Sequence, residues 1–457
     1  MRIVFFVFTF FASLGVFAGE GNWMHLFNGK DFTGWKQLNG KAKYEVIDGE
    51  IVGTTVTNTP NSFLATEKEY GDFILELELY VDPRMNSGIQ IRSLSKPEYN
   101  NGRVHGYQCE IDPSERAWSG GIYDEARRGW LYPLDFNPCG QKAFRNNEWN
   151  HYRIEVIGNS IRTWINGIPC ADLVDDMTTV GFIALQVHSI GSNSEQAGRQ
   201  IKWRNIRIQT ENLRQSPWTD IPVVNLIPNN LSPQERAQGW KLLFDGKTVN
   251  GWKGTKKDGF PEKGWKVEDG ELVIIPNGGG GDIITEEAFS TFELKMDVKL
   301  TEGANSGIKY FIQPGSSVAL EYQFLDDEKH PDAKMGAAGN RTMGSLYDLI
   351  PAHKNKIVAK IGEWNHVRVV VSGVRKEIWP KGSNVETKDF VGAHVEHWLN
   401  DRKILQYERG DQAFDAAVAR SKFAEVSGFG HWQSGHILIQ EHQDQMHFRS
   451  IKIRVID

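Results

Sequence analysis

Three cysteines in 457 residues, Cys109, Cys139 and Cys170, are too few for a disulfide-built scaffold. An odd count leaves at least one thiol free even if the other two pair. No CxxC and no Cys/His spacing of the zinc type occurs, so a thiolate metal centre is not expected. Basic charge is also short: 52 Lys and Arg stand against 58 Asp and Glu, a formal net charge of −6. No cationic field is available for a phosphate backbone, and nucleic acid is not an expected partner. Helical periodicity is scarce, which argues against a bundle. Long apolar runs are absent with one exception. Ile3–Phe17 follows Arg2 and ends at the small residues Val16 and Ala18, which reads as a signal peptide over residues 1–18. That run is too short to span a bilayer comfortably, and none follows it, so the mature chain from Gly19 is expected to be exported, periplasmic or extracellular, with no transmembrane segment.

What is abundant is glycine, with 46 residues, and aromatic side chains at 11%, including 15 Trp. Together they suggest turn-dense β structure whose aromatic rings suit the apolar faces of sugars. The chain also repeats itself. LFNGKDFTGWK at Leu26–Lys36 returns as LFDGKTVNGWK at Leu243–Lys253, and NSGI at Asn86–Ile89 returns at Asn305–Ile308. NEWNHYRIEV at Asn147–Val156 returns as GEWNHVRVVV at Gly362–Val371. A near-constant shift means two copies of one domain rather than a solenoid. GFIALQVH at Gly181–His188 and GHILIQEH at Gly435–His442 lie farther apart, which places an insertion of roughly 40 residues in copy two, between Lys376 and Gly430.

The expected layout is a first sandwich over 19–210, a Pro-containing linker over 211–233 and a second sandwich over 234–457. Ser232, Pro233 and Glu235 carry the signature of a capped helix start, and Gln412–Arg420 reads as a short helix. In Phe292–Leu300, Phe292, Leu294, Met296, Val298 and Leu300 alternate with charged residues, and Leu75, Leu77 and Leu79 repeat the pattern in copy one. A period of two with one apolar face is that of an antiparallel sandwich sheet. Asn166-Gly167 and Asn400-Asp401 are hairpin turns. The fold class is all-β: two tandem jelly-roll sandwiches.

LFDGKTVNGW, the NSG segment after an alternating strand, EWNHVRV, HWLND and the LIQEH…FRSIKIR ending resemble the bacterial 3-keto-disaccharide hydrolase family. The likeness covers about Trp240–Asp457 in copy two and Trp23–Thr210 in copy one. It implies a concanavalin/laminin-G-like jelly roll, exported, acting on glycosides whose C3 hydroxyl has been oxidised to a ketone. Such family members are described as hydrolases or as lyases for the same bond. The ketone acidifies the C2 hydrogen, so this chemistry needs a base near C2, a donor for the 3-oxo oxygen and an acid for the departing oxygen.

Candidates are positions that recur in both copies. Gln108 and Glu110 share a strand face, as do Glu321 and Gln323 with the order swapped. Tyr123 and Asp124 match Tyr347 and Asp348; His188 matches His442, and an imidazole suits proton transfer. Asp326, on the polar loop that also holds Asp327 and His330, is placed for a base or a cation. The catalytic expectation therefore covers Glu110, Tyr123, Asp124, His188, Glu321, Asp326, Tyr347 and His442. Arg92, Gln108, Arg127, Arg128, Trp130, Lys309, Gln323 and Asp348 are expected to hold the sugar. For each, an ordinary structural role stands beside the functional one: a solvated sheet face, a core Tyr or Trp, or a histidine that anchors a loop. Asn86-Ser87-Gly88 and Asn305-Ser306-Gly307 read as tight turns needing positive φ, with side chains near the groove. His394, Glu396 and His397 do not make a metal site, because strand alternation points 394 and 396 away from 397. No cofactor is expected, with a divalent cation left open. Two other functions compete with the lyase or hydrolase: a non-catalytic carbohydrate-binding pair and a two-carboxylate glycosidase. The lack of paired Glu/Asp in both copies weakens the last.

Overall fold

The computed structural model describes residues 22–373 and 393–456, so the signal-peptide reading and part of the expected insertion lie outside the described residues. The chain divides into two compact units, one ending at Leu226 and one starting at Ile227. Among the described residues, each unit is a β-sandwich of two sheets, nine- and seven-stranded in unit 1, eight- and five-stranded in unit 2. Both are jelly-roll-type folds.

Alternation builds these layers. In unit 2, Phe292–Leu300 runs antiparallel between Trp364–Ser372 and Met446–Val455. Its apolar side chains enter the core, where each fully buried one contributes about 1.5–3 kcal/mol. The opposite face pairs charges instead: Glu293 accepts from Arg368 and Arg454, at 2.6 and 2.8 Å. Phe73–Val81 does the same in unit 1, with Leu75, Leu77 and Leu79 inward and Glu76 held by Arg153 and Arg207.

Turns follow their residues. Asn166-Gly167 joins Ser160–Ile165 to Ile168–Val174 with φ of 52° and 79°, the positive pair a two-residue hairpin demands. Asn400-Asp401 does so between His394–Leu399 and Arg402–Glu408. Pro233–Ala237 is a helix whose Ser232 and Glu235 close a capping box, and Gln412–Ala419 is a helix capped by Asp411. The three cysteines are free thiols, with Cys109 and Cys170 packed in the core of unit 1.

The smaller sheet of unit 2 positions the site. Its order is Trp252–Gly254, Ile283–Phe289, Gly435–Ile439, Asn305–Ile312, Leu320–Leu325. Lys309 is paired with Glu321, and Gly307 with Gln323.

Candidate active site

A cavity of about 250 Å³ opens on this sheet, lined by Asn305, Lys309, Glu321, Gln323, Tyr347, Lys422, Gln440 and His442, with Phe423 and the 317–319 segment. Five residues singled out from the sequence converge here: Lys309, Glu321, Gln323, Tyr347 and His442. Asn305, Lys422 and Gln440 complete the polar lining. Gln440 could have been found by its recurrence as Gln186, two residues before the recurring histidine. Lys422 had no such signal, because it comes from the segment present in copy two alone.

The NSG segment is not a turn. Asn305–Ile312 and Ser87–Leu94 are strands that pair in register through the Ser-Gly positions, and neither Gly307 nor Gly88 has positive φ. Glycine is required for another reason: the neighbouring strand's side chain crosses directly over it. A Cβ on Gly307 would sit 2.3 Å from Glu321 Oε1, and one on Gly88 would sit 2.2 Å from Gln108. The missing side chain is the seat of the carboxylate.

Glu321 is 5% exposed. Burial raises its pKa above the usual carboxylate value, and the Asp282 charge adds to the rise, against the opposing pull of Lys309, Lys422 and His442. Lys309 Nζ lies 3.7 Å from Glu321 Oε2 and donates to the Ser317 carbonyl at 3.1 Å. Gln440 bridges the two when its amide nitrogen faces Glu321 Oε1 and its oxygen faces Lys309, both at 3.3 Å. Gln323 donates to Asn305 Oδ1 at 3.0 Å, while its own buried Oε1 has no partner. An orphan acceptor in a pocket wall is open to a hydroxyl of a ligand or of water. The Tyr347 ring lies under Lys422 Nζ, 4.3 Å from its centroid. Burial and a bond to Asp332 raise the Tyr347 pKa, so this phenol stays a proton donor. His442 stands at the rim, half-exposed, its Nδ1 4.0 Å from Asp444. The arrangement offers one buried base with raised proton affinity, two cations and several neutral donors. Among the lining residues, Glu321 is the one carboxylate.

Unit 1 keeps the framework but has two glutamines in place of the Lys309–Glu321 pair. Gln90 and Gln108 stand where unit 2 has Lys309 and Glu321, and Glu110 stands where unit 2 has Gln323. The amides close on one another: Gln90 and Gln186 both donate to Gln108 Oε1, at 2.5 and 3.0 Å. Gln108 Nε2 donates to Glu110 Oε2 at 3.0 Å, and Asn86 to its Oε1 at 2.5 Å. Burial pushes the Glu110 carboxyl up to about 7. His188 is exposed and lines a separate groove with Thr55, Arg84, Asn86 and Arg199.

Other expected site residues do other work. Arg92 does not follow Gln90 along its face. A register shift after Ile91 and a φ of 43° turn it to the protein interior, where it donates to the carbonyls of Gly71 and Gly158 and to Asp72. Asp124, fully buried, neutralises both Arg127 and Arg128, at 2.7 and 2.6 Å; Arg128 also binds Asp175. These cations are spent on structure. Trp130 is wedged edge-on between Trp118 and Tyr123, with the Arg116 guanidinium 5.0 Å from its ring, so its face is not an open sugar platform. Asp326 accepts the amides of Gly303, Glu328 and Lys329 and so shapes the loop that presents His330. Asp348 binds Arg341 and the Lys422 amide, which fixes the Lys422 backbone beside the pocket. His397 is buried between Tyr310 and the Gly344 carbonyl, burial pulling its pKa down to about 4, while His394 pairs with Glu408 outside.

Both units, over residues 22–209 and 239–454, match the family described as the 3-keto-alpha-glucoside-1,2-lyase-like domain. The chain belongs to this family. A Bacteroides thetaiotaomicron relative named 3-keto-disaccharide hydrolase is 35% identical over 254 residues, 48% of this chain and 80% of that protein. A crystal structure of a proposed glycosyl hydrolase from Parabacteroides distasonis is similar at 27% identity and a TM-score of 0.42, covering 50% of this chain and 100% of its own. The Bacillus subtilis carbohydrate-binding module CBM66 aligns at 16% identity and a TM-score of 0.26, over 38% of this chain and 94% of the module. Membership of the 3-keto-alpha-glucoside-1,2-lyase-like family makes the chain a carbohydrate-active enzyme of the hydrolase or lyase kind. Among the described residues, no helix is long and apolar enough to cross a membrane.

Proposed function

We propose that unit 2 cleaves the glycosidic bond of 3-keto-glycosides by taking the C2 proton and eliminating the C1 substituent. Glu321 is the base. Its electron pair takes the proton from C2, the C2–H pair forms the C2–C3 double bond, and charge moves to the 3-oxo oxygen. Lys309 and Lys422 supply the positive field for that enolate. When the enolate collapses, the C1–O bond breaks, C1=C2 forms, and His442 or Tyr347 gives a proton to the departing oxygen. Water adding across C1=C2 makes the net result hydrolysis; without it the outcome is a lyase product.

One observation carries this reading: a single buried carboxylate, seated over Gly307, beside a lysine at the paired register position. A conventional glycosidase flanks the anomeric carbon with two carboxylates; the lining holds only Glu321, and Asp282, close enough to raise the Glu321 pKa, lies outside it and accepts the Glu441 amide at 2.9 Å. In unit 1 the same positions hold a glutamine network in which Gln90 and Gln186 both donate to Gln108, with no lysine beside the carboxylate, which favours a non-cleaving role for that unit. The export expected from residues 1–18 accords with an enzyme of external glycosides. The deciding experiment is incubation of the full chain with a 3-keto-glucoside bearing a chromogenic aglycone. Aglycone release that Glu321→Gln abolishes and Glu110→Gln spares supports the proposal. Release from an unoxidised glucoside at equal rate, or no release, overturns it.

A further inference from the structure

Three groups from two separate loops meet at the rim of the unit 2 cavity. His330, His442 and Asp444 each offer a ligand atom, and these atoms lie within 4.8 Å of one another. The cluster is supported from behind. Asp444 Oδ2 accepts the Asn305 amide at 3.0 Å, at the start of the strand that carries Lys309. His330 ends the loop that Asp326 ties down, and its own amide donates to the Asp326 carbonyl at 3.0 Å. The His330 and His442 ring centroids are 6.3 Å apart and nearly perpendicular, so the rings do not stack and their edges are free to converge. His442 belongs both to this cluster and to the cavity that Glu321 lines; with an ion bound it is a neutral ligand, and the proton for the departing oxygen then comes from Tyr347.

We propose that unit 2 binds one divalent transition-metal ion of the zinc class through His330, His442 and Asp444. Two imidazoles and a carboxylate are the donor set of such ions, and three protein ligands leave a position for water or substrate. Ligands 2.0–2.1 Å from a tetrahedral ion sit roughly 3.4 Å apart, so the groups need close by only ~1.4 Å. Both histidines are at least partly exposed, which leaves their side chains room to rotate toward that spacing. His330 Nδ1 accepts the Asp332 amide at 3.2 Å, and coordination through the other ring nitrogen requires the ring to give up that long contact. The ligand that the open position takes follows from the proposed substrate, on which this part of the inference rests. A 3-keto-glycoside with a free C2 hydroxyl is a vicinal hydroxy-ketone, and its two adjacent oxygens chelate one ion in a five-membered ring. Among the described residues unit 1 has no equivalent cluster, and Ile190 follows His188 at the position Asp444 holds after His442.

The test uses the full chain, dialysed against a chelator and titrated with zinc chloride by calorimetry, with bound metal counted by elemental analysis. One ion per chain is expected, with affinity lowered about a hundredfold or more by His330→Ala and by Asp444→Asn, and unchanged by His394→Ala, which removes the surface His394–Glu408 pair. Circular dichroism and thermal unfolding confirm that each variant is folded. No bound ion, or binding that His330→Ala and Asp444→Asn leave intact, overturns the inference. Parallel assay with the chromogenic 3-keto-glucoside separates the two claims. Cleavage without any bound ion sinks the metal site and leaves the proposed activity standing, whereas an ion held by these residues without cleavage does the reverse.

Discussion

Lys309 and Glu321 face each other across two antiparallel strands, Nζ 3.7 Å from Oε2, over a glycine that leaves the carboxylate its room. The pair is buried, so its attraction is little screened, and removing one partner leaves the other charge uncompensated. Lys309→Met is therefore expected to raise the Glu321 pKa further and to cut kcat/KM on a 3-keto-glycoside by about a hundredfold or more. Glu321→Gln is expected to remove nearly all turnover at a smaller cost in stability, since Lys309 loses its counter-charge but keeps the Ser317 carbonyl and the Gln440 oxygen as acceptors. Steady-state kinetics beside thermal unfolding measure both. Equal losses of activity and stability would assign the pair to structure.

The pH dependence follows from the same burial. A base must be deprotonated to act, and Glu321 titrates above the usual carboxylate value. Activity should fall as pH drops through that raised pKa, so the acid limb of kcat/KM lies above 4.5, the ordinary glutamate value. Lys309→Met moves this limb to higher pH, because the lysine's charge is what holds the carboxyl down. A limb at or below 4.5 would remove Glu321 from the role of base.

Gly307→Ala and Gly88→Ala form a matched pair. Each adds a Cβ that meets the cross-strand side chain at 2.3 or 2.2 Å, closer than real contacts allow. Both are expected to destabilise their own unit by about 1–3 kcal/mol. Only Gly307→Ala also displaces Glu321, the proposed base, so only it should lower kcat in the population that remains folded. Denaturant unfolding with kinetics on the soluble fraction distinguishes them, and a kcat loss in Gly88→Ala would place chemistry in unit 1 as well.

How far the sequence carries depends on how local the determining contact is. Strand alternation and the internal repeat are properties of neighbouring residues, and they put Glu321 and Gln323 on one face, the face that lines the cavity. Tyr347 and His442 come along because each recurs beside a motif. Arg92 fails because one bulge reverses a face, and a bulge leaves no mark in the alternation. Asp124, Arg127 and Arg128 look like a binding cluster, yet at spacings of three and four residues they satisfy one another. Gly307 shows the subtler case. Its necessity is visible in the repeated NSG, but the cause is a side chain fourteen residues away, where strand register, not turn geometry, makes the demand. Lys422 was illegible, since an inserted segment folds back onto the pocket without any pattern that says so.

Glu110 gives a prediction about stability rather than turnover. Its folded pKa, about 7, stands above the ordinary 4.5, because burial disfavours the charged form. A carboxyl raised on folding contributes stability that is fully present below the unfolded pKa and lost as pH rises through the folded one. Unit 1 should therefore become less stable between about pH 5 and pH 8, by on the order of 3 kcal/mol from this group. Glu110→Gln removes the titration, and its unfolding free energy should vary less with pH over that window, whatever its absolute value after the Asn86 and Gln108 amides readjust. Chemical denaturation of both proteins at pH 5, 6.5 and 8 measures the slopes. Parallel slopes would mean that Glu110 is already ionised in the fold, held so by the two amides that donate to it.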